Sequence, residues 1–284
     1  MTGDNRVLVH GITGRYASVQ VPEMLRAGTR IVAGVSVGQG GSRVHDVPVF
    51  DTAAEAVAAT GADASVVYVP AAGVRDAIFE HVDAGIRTIM VAAEFVPLAD
   101  SLQALAHARR HGAWVIGPNS LGLISPGVGL LGSIAAGFCS PGRVGLISRS
   151  GTLTLATTRA LTQAGIGQST AVHVGGDVVC GRNPSEYLTA FAADPDTEVI
   201  AYCGEIGGTK EYDLIEHLGS VAKPVAALIV GRSAPPERRM GHAGALAGAA
   251  RETAQAKREA LATAGAHLAD DPVHLTGVVR ALLQ

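Results

Sequence analysis

The sequence has few aromatic and few charged residues. Aromatic side chains make up 4% of the 284 residues, with a single tryptophan, and charged residues make up 17%. Hydrophobic residues nevertheless make up 48%, and there are 36 glycines. We therefore expect an aliphatic core and tight turns, as is typical of soluble α/β proteins. A chain of this length can form two domains, each with its own core.

Cysteine is also scarce, which excludes two kinds of structural cross-link. Cys139, Cys180 and Cys203 are odd in number and far apart. This spacing argues against a disulfide framework and against a metal-binding knuckle. We therefore predict no metal site and a location in the reducing cytoplasm.

Neither sign of charge is in large excess. The formal net charge is −3, which gives no electrostatic reason to expect nucleic acid or a membrane surface as a partner. The one dense basic cluster is Arg232 with Arg238 and Arg239, which would serve a local anion or solvate a loop.

Long hydrophobic runs are missing as well. The uncharged stretch 112–142 is broken by three prolines and many glycines, so it does not predict a membrane helix. The first apolar strand starts at Val7 without a preceding charged region, hydrophobic core and cleavage site, so we expect no signal peptide.

What the sequence does contain is an alternation of apolar, β-branched strands with helices. This pattern predicts parallel sheets covered by helices on both faces. A stretch rich in glycine, serine and proline interrupts the alternation, so we predict an α/β protein with domains at 1–122 and 143–284 and a linker at 123–142. Predicted strands lie at 6–9, 30–35, 64–69, 88–92, 113–116, 143–147, 167–174, 199–203 and 225–230, and predicted helices at 52–60, 74–84, 101–111, 150–164, 187–193, 212–221, 254–264 and 273–283, with another through 20–25.

A glycine turn at Gly11–Gly14 separates the first strand from the first helix. Such a turn presents backbone N–H groups and the positive end of a helix dipole to a phosphate-bearing ligand. Ala17 stands where a dinucleotide fingerprint has its third glycine. By itself the turn fits nucleotide binding and ordinary strand–turn–helix geometry equally well. Ligands of parallel sheets bind beyond the carboxyl ends of the strands, where Pro70, Ala93–Glu94 and Asn119–Ser120 also fall.

Polar residues follow two strands of the second half. Ser150, Gly151 and Thr152 open a helix and offer N–H groups to an oxyanion or phosphate, although a simple N-cap serine would look the same. Glu205 follows an apolar strand and lies among glycines, where a carboxylate needs a partner. An imidazole whose tautomer the carboxylate fixes is one such partner. The alternatives are that Glu205 caps the next turn or pairs with Arg232.

His242 is the histidine best placed to use that carboxylate. It lies in Arg239–Ala245, among residues with little side-chain bulk, so a phosphate could approach the ring. A neutral imidazole can attack phosphorus and then carry charge, so one interpretation is a phosphohistidine; the other is that His242 caps or packs a turn. The remaining histidines, His81 among them, are expected on solvated faces, except that His10 and His173 are expected to be structural.

Seven motifs occur in order along the chain: GITG at 11–14, GADASVVYVPA at 61–71, IGPNSLGLISPG at 116–127, GRVGLISRSGTLT at 142–154, GIGQST at 165–170, GEIGG at 204–208 and RRMGHAGA at 238–245. Taken together they resemble the α subunit of succinyl-CoA synthetase, the nucleoside-diphosphate-forming succinate–CoA ligase, over essentially the whole chain.

The resemblance implies an N-terminal Rossmann-like CoA-binding domain and a C-terminal flavodoxin-like ligase domain. It also implies that His242 is phosphorylated during turnover, that Glu205 steadies it, and that the helix start at Ser150 receives the phosphate and the substrate carboxylate. The positions expected to contact coenzyme A are Gly11, Ile12, Thr13, Gly14, Arg15, Gln39, Pro70, Ala92, Ala93, Glu94, Asn119 and Ser120.

The same resemblance implies partners. An ATP-grasp β subunit would bind ATP or GTP with Mg²⁺ and complete the active site in an αβ or α2β2 complex. The substrate would be a small carboxylic acid, with succinate as the default.

Four positions depart from the family pattern. Gln39 stands where family members usually have a lysine that meets CoA phosphates, and Arg15 begins a segment that replaces a glycine-bearing turn and could restore charge. A tyrosine near the substrate becomes Leu155, which makes the pocket less polar and would admit a substituted or longer acid. A cysteine of the GPNCPG pattern becomes Ser120. The catalytic half is thus intact, whereas the acceptor and substrate sides differ.

Three functions are compatible with these features. The first is an acid–thiol ligase subunit that works through phosphohistidine and acyl phosphate. The second, motivated by Gln39 and the altered first turn, is an amide ligase that hands the acyl phosphate to an amine. The third is a CoA-binding regulatory subunit without chemistry, against which the intact GEIGG and GHAGA segments count.

Overall fold

The computed structural model describes residues 1–234 and 249–284, which form two compact units. The first unit comprises residues 1–134 and 179–181, and the second comprises 135–178 and 182–284. The division at 134 falls inside the segment predicted as a linker. That segment carries regular structure, because most of an antiparallel hairpin, Gly122–Ser125 paired with Gly129–Gly132, lies in it.

The first unit is built on a parallel sheet with one antiparallel edge strand. Its elements are β1 (Val7–His10), α1 (Arg15–Arg26), β2 (Ile31–Val35), β3 (Arg43–Val44), β4 (Val47–Phe50), α2 (Ala53–Thr60), β5 (Ala64–Val67), α3 (Val74–Asp83), β6 (Thr88–Val91), α4 (Leu98–Arg110), β7 (Trp114–Ile116) and the hairpin strands β8 (Gly122–Ser125) and β9 (Gly129–Gly132). The strand order is β3-β4-β2-β1-β5-β6-β7. From β4 onward this is the order of a Rossmann fold.

The second unit contains five parallel strands in the order β14-β13-β12-β10-β11. This is the flavodoxin-like order, so both predicted fold types are confirmed. Its elements are β10 (Pro141–Ser148), α5 (Gly151–Gln163), β11 (Gln168–His173), α6 (Pro184–Ala193), β12 (Val199–Glu205), α7 (Lys210–Leu218), β13 (Val225–Val230), α8 (Ala254–Thr263), β14 (His267–Ala269) and α9 (Pro272–Leu282).

Apolar runs and helix caps explain why these segments adopt these structures. All four residues of β1 and of β5 and all seven of β12 are buried, as expected for strands covered on both faces. Helix α9 starts at an N-cap, Asp271, whose carboxylate accepts from Val273 N and His274 N at 2.8 Å.

The predicted strands and helices are present with small shifts of their ends, and the sequence missed five short strands. Strand β4 contains Pro48 and β3 and β14 have two and three residues, which is too short for a clear period. The hairpin β8–β9 was missed because its glycines conceal buried leucines and isoleucine.

Strand order reverses beside the first strand of each sheet, and this positions the two candidate sites. In the first unit β1 lies between β2 and β5, with His10 opposite Val67. In the second unit β10 lies between β11 and β12, with Ser148 opposite Cys203. Ligands of such sheets bind at these crevices. Among the described residues no helix is long and apolar enough to span a bilayer.

A buried chain of hydrogen bonds in the first unit corrects one expectation. His81 on α3 is fully buried, whereas the sequence predicted a solvated position. Its Nδ1 lies 2.8 Å from Ser65 Oγ and its Nε2 lies 3.0 Å from His10 Nδ1. Burial and, to a smaller extent, the neighbouring His10 lower the pKa of His81 to about 3. Burial also lowers the pKa of His10, partly offset by Glu80.

The two buried histidines predict that the stability of the protein is sensitive to acid. The unfolded chain protonates both histidines near pH 6.5, whereas the folded chain does not, so stability falls as pH drops below about 6.5. Replacing His81 with glutamine should flatten that dependence by up to about 1.4 kcal/mol per pH unit. Urea unfolding at pH 7, 6 and 5 measures the effect, with His217→Gln, an exposed histidine on α7, as the matched control. If the free energy of unfolding depended on pH equally in both variants and the parent, the buried histidines would not be the cause of the acid sensitivity.

Candidate active site

The turn between β10 and α5 forms a capped helix start. Ser150 is the N-cap of α5, and its Oγ accepts from Leu153 N at 3.4 Å. The Ser148 hydroxyl donates to Ser150 O at 2.9 Å, which braces the turn from the strand side. The cap serves only the third N–H group of the helix, and the first two belong to Gly151 and Thr152, which have no acceptor within the helix. Both interpretations of this segment are therefore compatible: Ser150 is a cap, and the helix start still offers donors to an anion.

Glu205 lies beside this helix start, at the end of the neighbouring strand. It is the last residue of β12 and is 5% exposed. Arg149 N donates to Cys203 O at 2.9 Å, which holds the ends of β10 and β12 together. The Arg149 guanidinium reaches back over the strand end, with Nη2 at 3.7 Å from Glu205 Oε1. Arg232, which the sequence offered as a partner of Glu205, forms its ion pair with Asp270 at 2.8 Å.

A second buried carboxylate organises the cations around Glu205. Glu211 Oε1 accepts from Arg149 Nη1 at 2.7 Å and from the Tyr202 hydroxyl at 2.9 Å, and Glu211 Oε2 accepts from Lys257 Nζ at 2.6 Å. Glu211, Tyr202 and Lys257 are fully buried. We call Arg149, Glu205, Glu211 and Lys257 the buried charge cluster; its two cations and two carboxylates balance.

For Glu211 and Arg149 attraction outweighs desolvation, whereas burial lowers the pKa of Lys257 despite the nearby charge of Glu211. Burial alone would raise the pKa of Glu211, but the charges of Arg149 and Lys257 lower it below its usual value. Burial opposes the charge of Arg149 in the same way, yet Glu211 raises the pKa of the guanidinium. The surroundings of both groups therefore favour their charged forms.

Close approach explains the glycine that precedes Glu205. A Cβ atom on Gly204 would lie 2.8 Å from Glu211 Oε1 and 2.7 Å from Ile229 Cδ1. Any larger residue would push the carboxylate away from its cations. The first glycine of the GEIGG motif thus serves packing within β12.

Two further residues of α5, Thr152 and Leu155, were predicted from the sequence to lie on the substrate side of this site. Thr152 is exposed at the first turn of α5, and Leu155 is half-buried one turn further on. Thr154, between them, is buried and donates from its hydroxyl to Ser150 O at 2.8 Å. The helix therefore presents Thr152 outward and uses Thr154 to hold its own start.

The glycine turn of the first unit has a geometry that suits a phosphate. Gly11 has φ +80°, and a Cβ there would lie 3.1 Å from Tyr68 O, so the turn needs glycine. Gly14 N donates to Gly11 O at 2.9 Å and Gly14 is the N-cap of α1. The first turn of α1 contains no acidic residue, and it begins with the exposed Arg15. An anionic group could approach this positive helix end.

The other residues of the turn are held from the next strand. Thr13 donates from Oγ1 to Ser36 Oγ at 2.9 Å, at the end of β2. Ile12 is fully buried and packs over Gly34, where a Cβ would lie 2.5 Å from its Cγ2. Ile12 therefore fixes the turn, whereas Thr13 and Gly14 are on its exposed side.

The loop around Gln39 uses its backbone donors internally. Asp51 Oδ1 accepts from Gln39 N at 3.1 Å and from Gly40 N at 3.0 Å. A ligand would therefore meet the exposed side chain of Gln39 and not these N–H groups.

The remaining predicted contacts lie on loops after β5, β6 and β7. Pro70 and Glu94 are exposed, and Ala92, Ala93 and Asn119 are half-buried. Asn119 N donates to Ala93 O at 2.7 Å, which joins two of these loops. Ser120 is buried and its Oγ accepts from Gly122 N at 2.8 Å, so this hydroxyl supports the loop from within. Their contact with coenzyme A stays a prediction.

His242 lies outside the described residues, as do Arg238 and Arg239. The predicted contact between its ring and Glu205 therefore stays a prediction as well.

Comparison with known proteins identifies the family. A family model described as a CoA-binding domain matches residues 2–95, and one described as CoA-ligase matches residues 147–267. The chain is 44% identical over 281 residues to succinate–CoA ligase [ADP-forming] subunit alpha 1 of Archaeoglobus fulgidus, covering 99% of this chain and 97% of the relative. It is 42% identical to the corresponding alpha subunit of Aquifex aeolicus, covering 99% and 93%. The chain belongs to the succinate–CoA ligase alpha-subunit family. The family, the two α/β domains and the ligase class predicted from the motifs are confirmed.

Solved structures agree with this alpha-subunit fold. ATP citrate lyase from Methanothrix soehngenii, in complex with citrate and coenzyme A, superimposes with a TM-score of 0.88 at 26% identity. That match covers 100% of this chain but 52% of the lyase chain, so the alpha-type chain spans about half of that enzyme. Acetyl-coenzyme A synthetase 1 of Candidatus Korarchaeum cryptofilum shares the fold at a TM-score of 0.73 and 19% identity.

Within this alpha-subunit architecture, most of the buried charge cluster was not predicted from the sequence. Neither Glu211 nor Lys257 was among the residues predicted from the sequence to be functional. The helical spacing of the buried residues indicates both side chains. The buried face of α7 is Glu211, Leu214 and Leu218, and that of α8 is Ala254, Lys257 and Leu261. In both helices a charged residue occupies an apolar position at i, i+3 and i+7 spacing.

The cluster predicts a large stability effect at Glu211. Replacing it with glutamine leaves Arg149 and Lys257 buried without the carboxylate between them, and breaking such a pair costs about 3–5 kcal/mol. We expect the urea midpoint of Glu211→Gln to fall clearly below that of the parent. Glu216→Gln changes an exposed glutamate on the same helix and should leave the midpoint unchanged. Equal midpoints for the two variants would mean that the cluster contributes little.

Proposed function

We propose that the chain is the alpha subunit of an acid–thiol ligase that forms an acyl-CoA from a small carboxylate. In this proposal His242 accepts a phosphoryl group from a nucleotide, passes it to the substrate carboxylate, and the acyl phosphate is discharged to the thiol of coenzyme A with release of inorganic phosphate. The carrying observation is the pairing of Glu205 with Arg149 beside the α5 start, in a chain 44% identical to an ADP-forming alpha subunit.

Glu205 has the environment that a phosphohistidine needs. A carboxylate that accepts a hydrogen bond from one ring nitrogen leaves the lone pair of the other nitrogen free to attack phosphorus. It also stabilises the positive charge that the ring gains when it becomes phosphorylated. Arg149, 3.7 Å away, supplies a counter-charge that orients Glu205.

The start of α5 supplies the complementary anion site. The N–H groups of Gly151 and Thr152 and the helix dipole favour a phosphoryl group or a carboxylate at this point. A single anion site beside Glu205 lets both species use the same donors in turn. Leu155, half-buried on the same helix, supports a less polar pocket, so a substituted acid is compatible, with succinate as the default.

Coenzyme A would bind to the first unit. The glycine turn, the exposed Arg15 and a helix start without acidic residues suit its phosphates, and the CoA-binding family model covers this region. Gln39 offers a hydrogen bond where a lysine would offer a charge.

The nucleotide site belongs to a partner in this proposal. The relatives are named as alpha subunits of ADP-forming ligases, which supports ATP on an ATP-grasp β subunit in an αβ or α2β2 complex. Within residues 1–234 and 249–284 there is no group of three or more His, Cys, Asp or Glu side chains that could hold a metal ion, so the proposal assigns Mg²⁺ to the partner. None of the three cysteines forms a disulfide within the described residues, which is compatible with a cytoplasmic location.

The test is phosphate transfer in the complex of this chain with the ATP-grasp β subunit from the same organism. With γ-³²P-labelled ATP, we expect acid-labile, base-stable label on the chain that disappears when succinate and CoA are added. His242→Asn should lose both the label and turnover, and His217→Asn, at an exposed site on α7, should retain both.

Each other result supports a different function. No label on the parent chain beside an active partner would support a non-catalytic CoA-binding subunit. Label that is discharged by an amine and not by CoA would support an amide ligase. Retained turnover in His242→Asn would remove the phosphohistidine mechanism.

A further inference from the structure

Lys257 occupies an unusual position for a lysine. It lies on the apolar face of α8, between Ala254 and Leu261, and is fully buried. Its ammonium group has three donors, and all three have acceptors: Glu205 O at 2.9 Å, Gly207 O at 2.7 Å and Glu211 Oε2 at 2.6 Å.

Two of those acceptors are backbone carbonyls that flank the Glu205–Gly207 turn. By donating to these carbonyls, Lys257 holds the main chain of the turn, while the side chain of Glu205 faces Arg149. The third acceptor, Glu211, also holds Arg149 at 2.7 Å. Lys257 therefore acts on Glu205 by two routes, through the turn and through the guanidinium.

Lys257 also connects this turn to the segment that follows His242 in the chain. Helix α8 begins at Ala254, twelve residues after His242. A second contact reinforces the connection, because Gly207 N donates to Glu252 O at 2.9 Å just before the helix. The described residues between the His242 segment and α8, Glu252 among them, are thus hydrogen-bonded to the turn that carries Glu205.

Stability alone is a poor explanation for a buried ammonium. Burying a lysine and a glutamate costs desolvation, and replacing such a pair with apolar residues of similar volume is often neutral or stabilising. What an apolar pair could not do is donate to two loop carbonyls and orient Arg149.

We propose that Lys257 is a positioning residue for phosphoryl transfer. It fixes the Glu205 turn relative to α8, the helix that follows the His242 segment. This inference rests on the function proposed above. It predicts that removing the ammonium slows phosphorylation of the chain more than it weakens ligand binding.

The experiment compares Lys257→Met with Gln255→Met, an exposed position on the same helix, in the complex with the β subunit. Displacement of a reacting group by about 1 Å costs on the order of 100-fold, so we expect phosphorylation by ATP to slow about 10- to 100-fold in Lys257→Met. The KM values for ATP and CoA should stay within about twofold. Gln255→Met should match the parent.

A second variant separates positioning from folding. Lys257→Met combined with Glu211→Met removes one charge of each sign, so the urea midpoint should recover much of the loss seen in Lys257→Met. Phosphorylation should stay slow, because the two carbonyls still lack their donor. If the double variant regained both the midpoint and the rate, Lys257 would have a purely structural role.

Two other outcomes are distinguishable. A parent chain that takes no phosphate from ATP would remove the proposed function itself. A phosphorylated parent with an equally fast Lys257→Met would remove the positioning role alone and leave the proposed function intact.

Discussion

The carboxylate of Glu211, buried between Arg149 and Lys257, is the interaction on which the candidate active site depends. It joins three separate segments: the residue after β10, the first turn of α7 and the apolar face of α8. Without that negative charge, two cations would repel each other in a site closed to water, and Arg149 would lose its fixed orientation toward Glu205. The position of Glu205 is therefore a consequence of the charges behind it as well as of the strand that carries it.

The parallel sheet makes this arrangement possible. Because β10, β12 and β13 run in the same direction, their carboxyl ends bring a helix start, a carboxylate and the beginning of the His242 segment to one edge. The helix start provides fixed N–H donors for an anion, and the cluster provides a fixed carboxylate for an imidazole. A phosphoryl group that moves between a histidine and a substrate carboxylate needs both, since it carries negative charge throughout.

The sequence predicted the long elements well, because their strands are uniformly apolar and their glycine turns are distinct. It predicted Ser150 and Glu205 because polar residues after apolar strands stand out. It missed Glu211 and Lys257. Glu211 binds Arg149 and Lys257, which lie 62 and 46 residues away in the chain, so the local pattern could show that Glu211 and Lys257 occupy apolar positions but not what they bind. The same limit explains His81, which looked solvated on its helix but packs against Ser65 and His10.

Phosphorus NMR of the phosphorylated complex, with the chain labelled by ¹⁵N-histidine, tests the central claim most directly. If Glu205 holds one ring nitrogen of His242, the phosphoryl group is confined to the other. We predict a single phosphorus–nitrogen coupling, to one ring nitrogen of His242 only. Coupling to another histidine, or a mixture of both nitrogen isomers on His242, would contradict it.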